Sequence, residues 1–134
     1  MPNCGILYLA EVTRWKELAL IYTMTLNPAL DYVMHPLTLD MGYTNCSSSE
    51  ELYCGGNGIN ISTLLNELDV VNVAMGIVAG FTGEYLINEL QDAGIASNFV
   101  KLDRGYTRIN VKLNGIVMTM VNGMGPKIPQ KKVD

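Results

Sequence analysis

Apolar and polar positions fall into blocks whose period changes along the chain. Leu18 to Leu26 is an apolar, β-branched and aromatic run closed by Asn27-Pro28, which cannot continue a regular helix. It predicts a first core strand running into a turn. A second extended piece, Asp31 to Met34, is halted by Pro36, and Tyr43 to Glu51 with its Ser47-Ser48-Ser49 cluster reads as an exposed loop or edge. Gly55-Gly56-Asn57-Gly58 ends this irregular region. Ile61, Leu64, Leu65 and Leu68 then recur at i, i+3, i+4, i+7, with Asn60, Ser62, Asn66 and Glu67 on other faces, the signature of an amphipathic helix. Val70 to Ala79 is a nearly continuous apolar run ending in Gly80, as expected of a strand buried on both faces of a parallel sheet. A second helix is predicted from about Gly83 to Ala93, with Leu86, Ile87 and Leu90 inward and Gly94 as its stop. Phe99 to Leu102 follows as another strand. The alternation gives an α/β fold with right-handed crossovers.

The last third changes period. Arg108 to Leu113 alternates strictly, with Ile109, Val111 and Leu113 on one side and Arg108, Asn110 and Lys112 on the other. Asn114-Gly115 is a strong hairpin signal, and Ile116 to Val121 returns. A two-residue turn would pair Leu113 with Ile116, Val111 with Met118 and Ile109 with Met120, making one apolar face of six side chains that must cover something. From Gly123 on the periodicity is lost, and the chain is expected to stop before its fold does.

Composition narrows the function classes. The chain has 134 residues, 49% hydrophobic, with thirteen acids against nine Lys and Arg and a formal net charge of -4. That is one core-forming domain without the basic footprint nucleic acid or anionic lipid requires; the short basic run from Lys127 to Lys132 lies at the end. The longest apolar-leaning stretches, Leu18 to Leu30 and Val70 to Gly83, fall short of the roughly 20 residues of a membrane helix. Neither nucleic acid nor a membrane is an expected partner. Glu11, Arg14, Lys16 and Glu17 interrupt the N-terminal run early, unlike a secretory leader, so a cytoplasmic location is expected. Cys4, Cys46 and Cys54 form no C-x-x-C, and His35 is remote from them, which favours reduced, partly buried thiols over a metal site. No metal-ligating or catalytic residue is assigned.

Thirteen glycines direct attention to the backbone. Gly55-Gly56-Asn57-Gly58-Ile59-Asn60 puts glycines at the mouth of a helix, where unpaired N–H groups can hold an anion or a hydroxyl-rich ligand. It matches neither the dinucleotide fingerprint nor a Walker loop, and a tight strand-to-helix turn explains it as well. Asp31, just past the first strand, lies where ligands of open α/β folds bind, or is a solvated turn acid. Arg108 shares a strand face with Asn110 and Lys112, where a guanidinium can hold a phosphate bidentately. Lys112, four residues along towards the turn, is expected to matter little.

Five segments together carry a resemblance: Thr25-Leu-Asn-Pro-Ala-Leu-Asp31, Gly55-Gly-Asn-Gly-Ile-Asn-Ile-Ser62, Gly80-Phe-Thr-Gly83, Tyr106-Thr-Arg-Ile-Asn-Val111 and Asn122-Gly-Met-Gly-Pro126. In order and spacing they are similar to the N-terminal part of the 1-phosphofructokinases, the PfkB branch of the ribokinase-like sugar kinases. The similarity runs from about residue 21 to 128 and covers little more than the first third of a family chain. It implies a ribokinase-like α/β fold, a Rossmann-type parallel sheet with helices plus a small β-sheet lid, truncated. Residues 1–20 form an unmatched leader, 21–128 the substrate-binding part with lid strands at about 31–54 and 106–122, and 129–134 a tail.

The resemblance further implies an ATP-dependent, Mg²⁺-assisted kinase making fructose 1,6-bisphosphate from fructose 1-phosphate. Asp31 would bind sugar hydroxyls, Gly56, Asn57 and Asn60 would line the sugar pocket, and Arg108 would reach the substrate phosphate from the lid, whose sheet also implies a homodimer or self-association. The chain departs from the family pattern at several positions. Asn57 stands where Lys is usual, Asp69 and Ala79 replace common glycines, and Met118 and Met120 stand where polar or acidic lid residues are expected. The Gly-Ala-Gly-Asp segment bearing the catalytic base is absent, as is the ATP-binding half, so the isolated chain is expected to be inactive. The alternatives are a non-catalytic remnant that binds sugar phosphate or pairs with an intact kinase chain, and a tagatose 6-phosphate kinase specificity.

Overall fold

The computed structural model describes residues 20–129. The elements run β1 (Ile21–Thr25), β2 (Ala29–Pro36), β3 (Ser47–Gly55), α1 (Asn57–Glu67), β4 (Asn72–Ala79), α2 (Gly80–Asp92), β5 (Ala96–Leu102), β6 (Arg108–Asn114) and β7 (Met118–Asn122). They form two sheets: a parallel three-stranded sheet ordered β1-β4-β5, and a four-stranded lid sheet ordered β3-β2-β6-β7. The α/β core with a separate small lid is the architecture the sequence implied. The leader and the residues from 130 on lie outside the described residues.

Both helices cover one face of the parallel sheet. Ile59 of α1 and Leu86 and Leu90 of α2 join Ala74 and Val78 of β4, with Leu30 and Ile95, in one buried cluster. Each such large aliphatic side chain contributes roughly 1.5–3 kcal/mol by leaving water. Asn66 of α1 donates from Nδ2 to the Ala93 carbonyl beyond α2, tying the helices together at 3.0 Å. The second helix begins three residues earlier than expected and ends at Asp92, followed by Gly94 at φ 75° as the predicted stop.

Three expectations change. The stripe Ile61, Leu64 and Leu68 is not the face that α1 buries: these side chains are at least half exposed, and Gly58, Ile59 and Ser62 face the sheet instead. The reason is close approach, since a Cβ at Gly58 would lie 2.6 Å from the Met24 carbonyl oxygen, and Ser62 hydrogen-bonds Thr23 at 2.6 Å in the buried interface. Among the described residues β4 is covered on one face only, because Tyr22, Met24 and Val100, on the other face of this sheet, are exposed. The hairpin closes through a three-residue connection, with Asn114 opposite Met118, Lys112 opposite Met120 and Val111 opposite Val121. An odd-numbered slip moves every side chain to the opposite face. Met118 and Met120 therefore join Asn110 and Lys112, the six-residue apolar face does not form, and Ile116 lies fully exposed at the loop tip.

Tyr43 to Glu51 resolves into a loop followed by β3, an edge strand paired antiparallel to β2. Cys46 is exposed rather than partly buried, and Cys54 is half-buried. Among the described residues no helix is long and apolar enough to cross a membrane.

Candidate functional site

The site is built where the lid joins the core. Thr107 anchors the lid root: its N–H donates to the Ala79 carbonyl at 2.8 Å, and its Oγ1 accepts from the Ala79 N–H at 2.9 Å. Its own carbonyl accepts from the Thr82 hydroxyl at 2.8 Å. Thr107 and Thr82 are both almost wholly buried, so β6 leaves a fixed point at the N-terminus of α2. On the other side, β3 runs through Gly55 and Gly56 into α1. Gly56 caps the helix at φ 134°, a conformation reserved for glycine, with its Cα against the Thr25 side chain. The Thr25 hydroxyl accepts from the Ile59 amide at 3.2 Å, so the end of β1 satisfies one of the free N–H groups of α1.

Parallel pairing of β2 with β6 sets Ala29 opposite Arg108, Asp31 opposite Asn110 and Val33 opposite Lys112. Asp31 therefore meets two donors from one strand: Asn110 Nδ2 donates to Oδ1 at 2.7 Å, and Lys112 Nζ donates to Oδ2 at 2.7 Å. Asp31 is 17% and Lys112 31% exposed at the side chain. The carboxylate leans over Gly55, where an added Cβ would lie 2.8 Å from Oδ2. Asp31 and Lys112 open onto a cleft of about 480 Å³ between the lid and α1, lined also by Tyr53, Cys54, Asn60, Thr63, Leu64 and Glu67.

Two side chains in the cleft have altered acidity. The Tyr53 phenol donates to Glu51 at 2.8 Å, which raises its pKa. Burial, with Glu89 nearby, pushes the Cys54 thiol up to about 11, so it stays protonated at neutral pH and is no nucleophile.

Of the residues singled out in the sequence, Asp31 and Asn60 come together in this cleft, whereas Gly56 caps α1 and is not among the residues that line it. Asn57 opens α1 and is exposed. Arg108 sits elsewhere: it lines a neighbouring cleft of about 430 Å³ with Phe81, Thr82, Tyr106 and Met124, and its Nε is buried without a hydrogen-bond partner. Lys112, expected to be a bystander, is the cation in direct contact with Asp31. Its parity with Arg108 and Asn110 was the available signal; the pairing of β2 with β6 that brings it to Asp31 was not.

Comparison with known proteins gives this geometry a family. The pfkB family carbohydrate kinase model matches residues 24–121. The chain is 45% identical over 109 residues to the 1-phosphofructokinase of Bacillus subtilis, covering 81% of this chain and 36% of that one. It is 34% identical over 113 residues to the D-tagatose-1-phosphate kinase of Bacillus licheniformis, covering 84% and 37% respectively. A solved Staphylococcus aureus structure described as a phosphofructokinase superposes with a TM-score of 0.78 at 40% identity, over 83% of this chain and 36% of that one. The chain thus spans little more than a third of the length of these relatives. On the match across both the core sheet and the lid, the chain belongs to the pfkB family of carbohydrate kinases.

Proposed function

We propose that this chain is the sugar-phosphate-binding and lid portion of a kinase that transfers a phosphoryl group from ATP to the 6-hydroxyl of fructose 1-phosphate. The observation that carries the reading is the cleft shared by Asp31 and Asn60 at the lid root, in a chain 45% identical to a 1-phosphofructokinase. A carboxylate has about four lone-pair sites; with one on each oxygen taken by Asn110 and Lys112, Asp31 keeps acceptors for sugar hydroxyls. Gly56 would let the loop backbone approach the sugar, Asn60 would bond a further hydroxyl, and the exposed Asn57 would offer an amide where a Lys is usual. Arg108 would hold the phosphate from the neighbouring cleft, its buried Nε having no partner among the described residues. The relative named for D-tagatose 1-phosphate carries its phosphate at the same carbon, which favours ketose 1-phosphates over tagatose 6-phosphate.

ATP supplies the phosphoryl group, and Mg²⁺ offsets charge on it. At the start of α1 the Ile59 amide is engaged by Thr25 and the Asn60 amide by the Gly56 carbonyl, which makes this helix end a poor cradle for a nucleotide phosphate. The chain also has no Gly-Lys pair. Nucleotide binding and the catalytic base are assigned to parts of a family kinase beyond the matched segment. Self-association is assigned to the lid face bearing Leu52, Ile109 and Val121, which is apolar and exposed. The open face of the core sheet favours a second reading, a sugar-phosphate-binding chain that works by pairing with an intact kinase.

Two measurements test the proposal. Calorimetric titration with fructose 1-phosphate should give binding that Asp31→Ala removes, and a coupled assay with ATP and Mg²⁺ should give no turnover from the 134-residue chain alone. No binding, or binding indifferent to Asp31→Ala, contradicts the assignment.

A further inference from the structure

We infer that Lys112 is the positioning residue of the sugar site: it fixes the rotamer of Asp31 and cancels its charge so that a phosphorylated sugar is accepted beside it. The inference rests on the sugar-phosphate reading above and assigns a role to a residue that reading leaves without one. Three observations support it. Lys112 Nζ and Asn110 Nδ2 grip opposite oxygens of Asp31 at 2.7 Å each, and both come from β6, two residues apart on one face. The pair is sheltered, with Asp31 17% and Lys112 31% exposed, unlike the solvated ion pair Lys101–Glu84 at 56% on both sides. Gly55 leaves the space the carboxylate occupies, since any Cβ there would collide with it.

The electrostatics follow from these positions. A phosphate ester arriving in a cleft that holds a bare carboxylate is repelled, and the repulsion is strong where solvent is partly excluded. With Asn at position 57, α1 brings no cation to this cleft. Lys112 is the cation among the residues that line it, and its contact with Asp31 leaves that pair near neutral before the sugar arrives, so that Glu67 at the far end of α1 is the one acid of the lining still uncompensated by Lys112. A neutral sugar gains only the orientation; a phosphorylated one gains both orientation and charge.

The test is a double-mutant cycle read by binding. In the parent chain, Lys112→Met should raise the Kd for fructose 1-phosphate about tenfold or more, on the scale of a charge-assisted contact. Lys112→Arg, which keeps the charge, should stay within about fivefold of the parent on the same scale. On an Asp31→Asn background, where no carboxylate is left to orient and only the charge of Lys112 itself is lost, Lys112→Met should cost at least about threefold less than in the parent chain. A loss through general destabilisation would be equal in both backgrounds, and that result overturns the inference. A ligand-free measurement separates this from the function itself: the ¹⁵Nζ ammonium resonance of Lys112 should be protected from exchange and should broaden or vanish in Asp31→Asn. An ammonium resonance indifferent to Asp31→Asn overturns the pairing. A parent chain that shows the protected ammonium yet binds no fructose 1-phosphate overturns the proposed function, and the role of Lys112 in sugar binding with it.

Discussion

The two sheets finish themselves in different ways. The core sheet closes one face by burial: Thr23, Asn72, Ala74 and Val78 lie under α1 and α2, where Thr23 bonds Ser62 and Asn72 Nδ2 donates to the Ser62 and Val70 carbonyls, leaving Asn72 Oδ1 alone without a partner on this face among the described residues. The lid sheet closes one face by charge, through Asp31, Asn110 and Lys112, and leaves it open to a ligand. Each sheet then has a second, apolar face with large side chains in solvent, Tyr22, Met24 and Val100 in one and Leu52, Ile109 and Val121 in the other. Strands of a parallel sheet are ordinarily covered on both faces. The difference separates stability from recognition: the core face is dry and fixed, whereas the lid face keeps hydrogen-bonding capacity in reserve.

The largest effect that would break this contrast belongs to the core. Leu86→Ala empties a fully buried position shared by both layers and should destabilise the chain by about 2–5 kcal/mol, read by urea unfolding. A loss below that range would mean that the cluster is not the stabilising centre. Cys54 comes next, packed against the same cluster beneath the lid. With its thiol raised from 9.0 to about 11, its thiolate fraction near pH 8 is lowered by about a hundredfold. Alkylation followed by peptide mapping should therefore label Cys46 well before Cys54. The sign for stability follows: the contribution of the buried neutral thiol is intact below pH 9.0 and is lost as pH rises through about 11.

Smaller effects sharpen the lid side. Gly55→Ala needs no unusual backbone angle but drives a Cβ into the Asp31 carboxylate, which Lys112 and Asn110 hold in place. Fructose 1-phosphate affinity should fall about tenfold, equivalent to about 1.4 kcal/mol, while the helical signal is kept. Unchanged affinity would show that the carboxylate is free to move. Smallest of all in stability, Tyr22→Lys with Met24→Lys should change unfolding by no more than about 0.5 kcal/mol. Any self-association seen by sedimentation should persist in this pair, because it is assigned to the lid face bearing Leu52, Ile109 and Val121. Association lost in this variant would point to the open core face instead.

What could be read from the sequence divides along the same line. Order and type of the core elements followed from local signals: the Asn27-Pro28 stop, the glycines before α1, the run before Gly80 and the stop at Gly94. The face of α1 did not, because the 3.6-residue pattern reports where apolar side chains are, whereas close packing on β1 selects the small residues Gly58 and Ser62. The hairpin register misled for a related reason: Asn114-Gly115 marks the turn, but a connection one residue longer than the two-residue form reverses the face of β7. Asp31 and Asn60 were found as candidates one at a time. Their setting was not legible, since the contacts that define it join residues 79 and 81 positions apart through strand pairing that no local pattern encodes.

The lid root of this chain is proposed to be a sugar-phosphate site organised around Asp31. It is tested most directly by titrating fructose 1-phosphate into isotope-labelled chain and following backbone amides. Saturable shifts should concentrate at Asp31, Gly56, Asn60, Arg108 and Lys112, and should be absent with fructose alone at the same concentration and absent in Asp31→Ala. Shifts confined to the open face around Tyr22 and Met24, or none at any of these five positions, would contradict it.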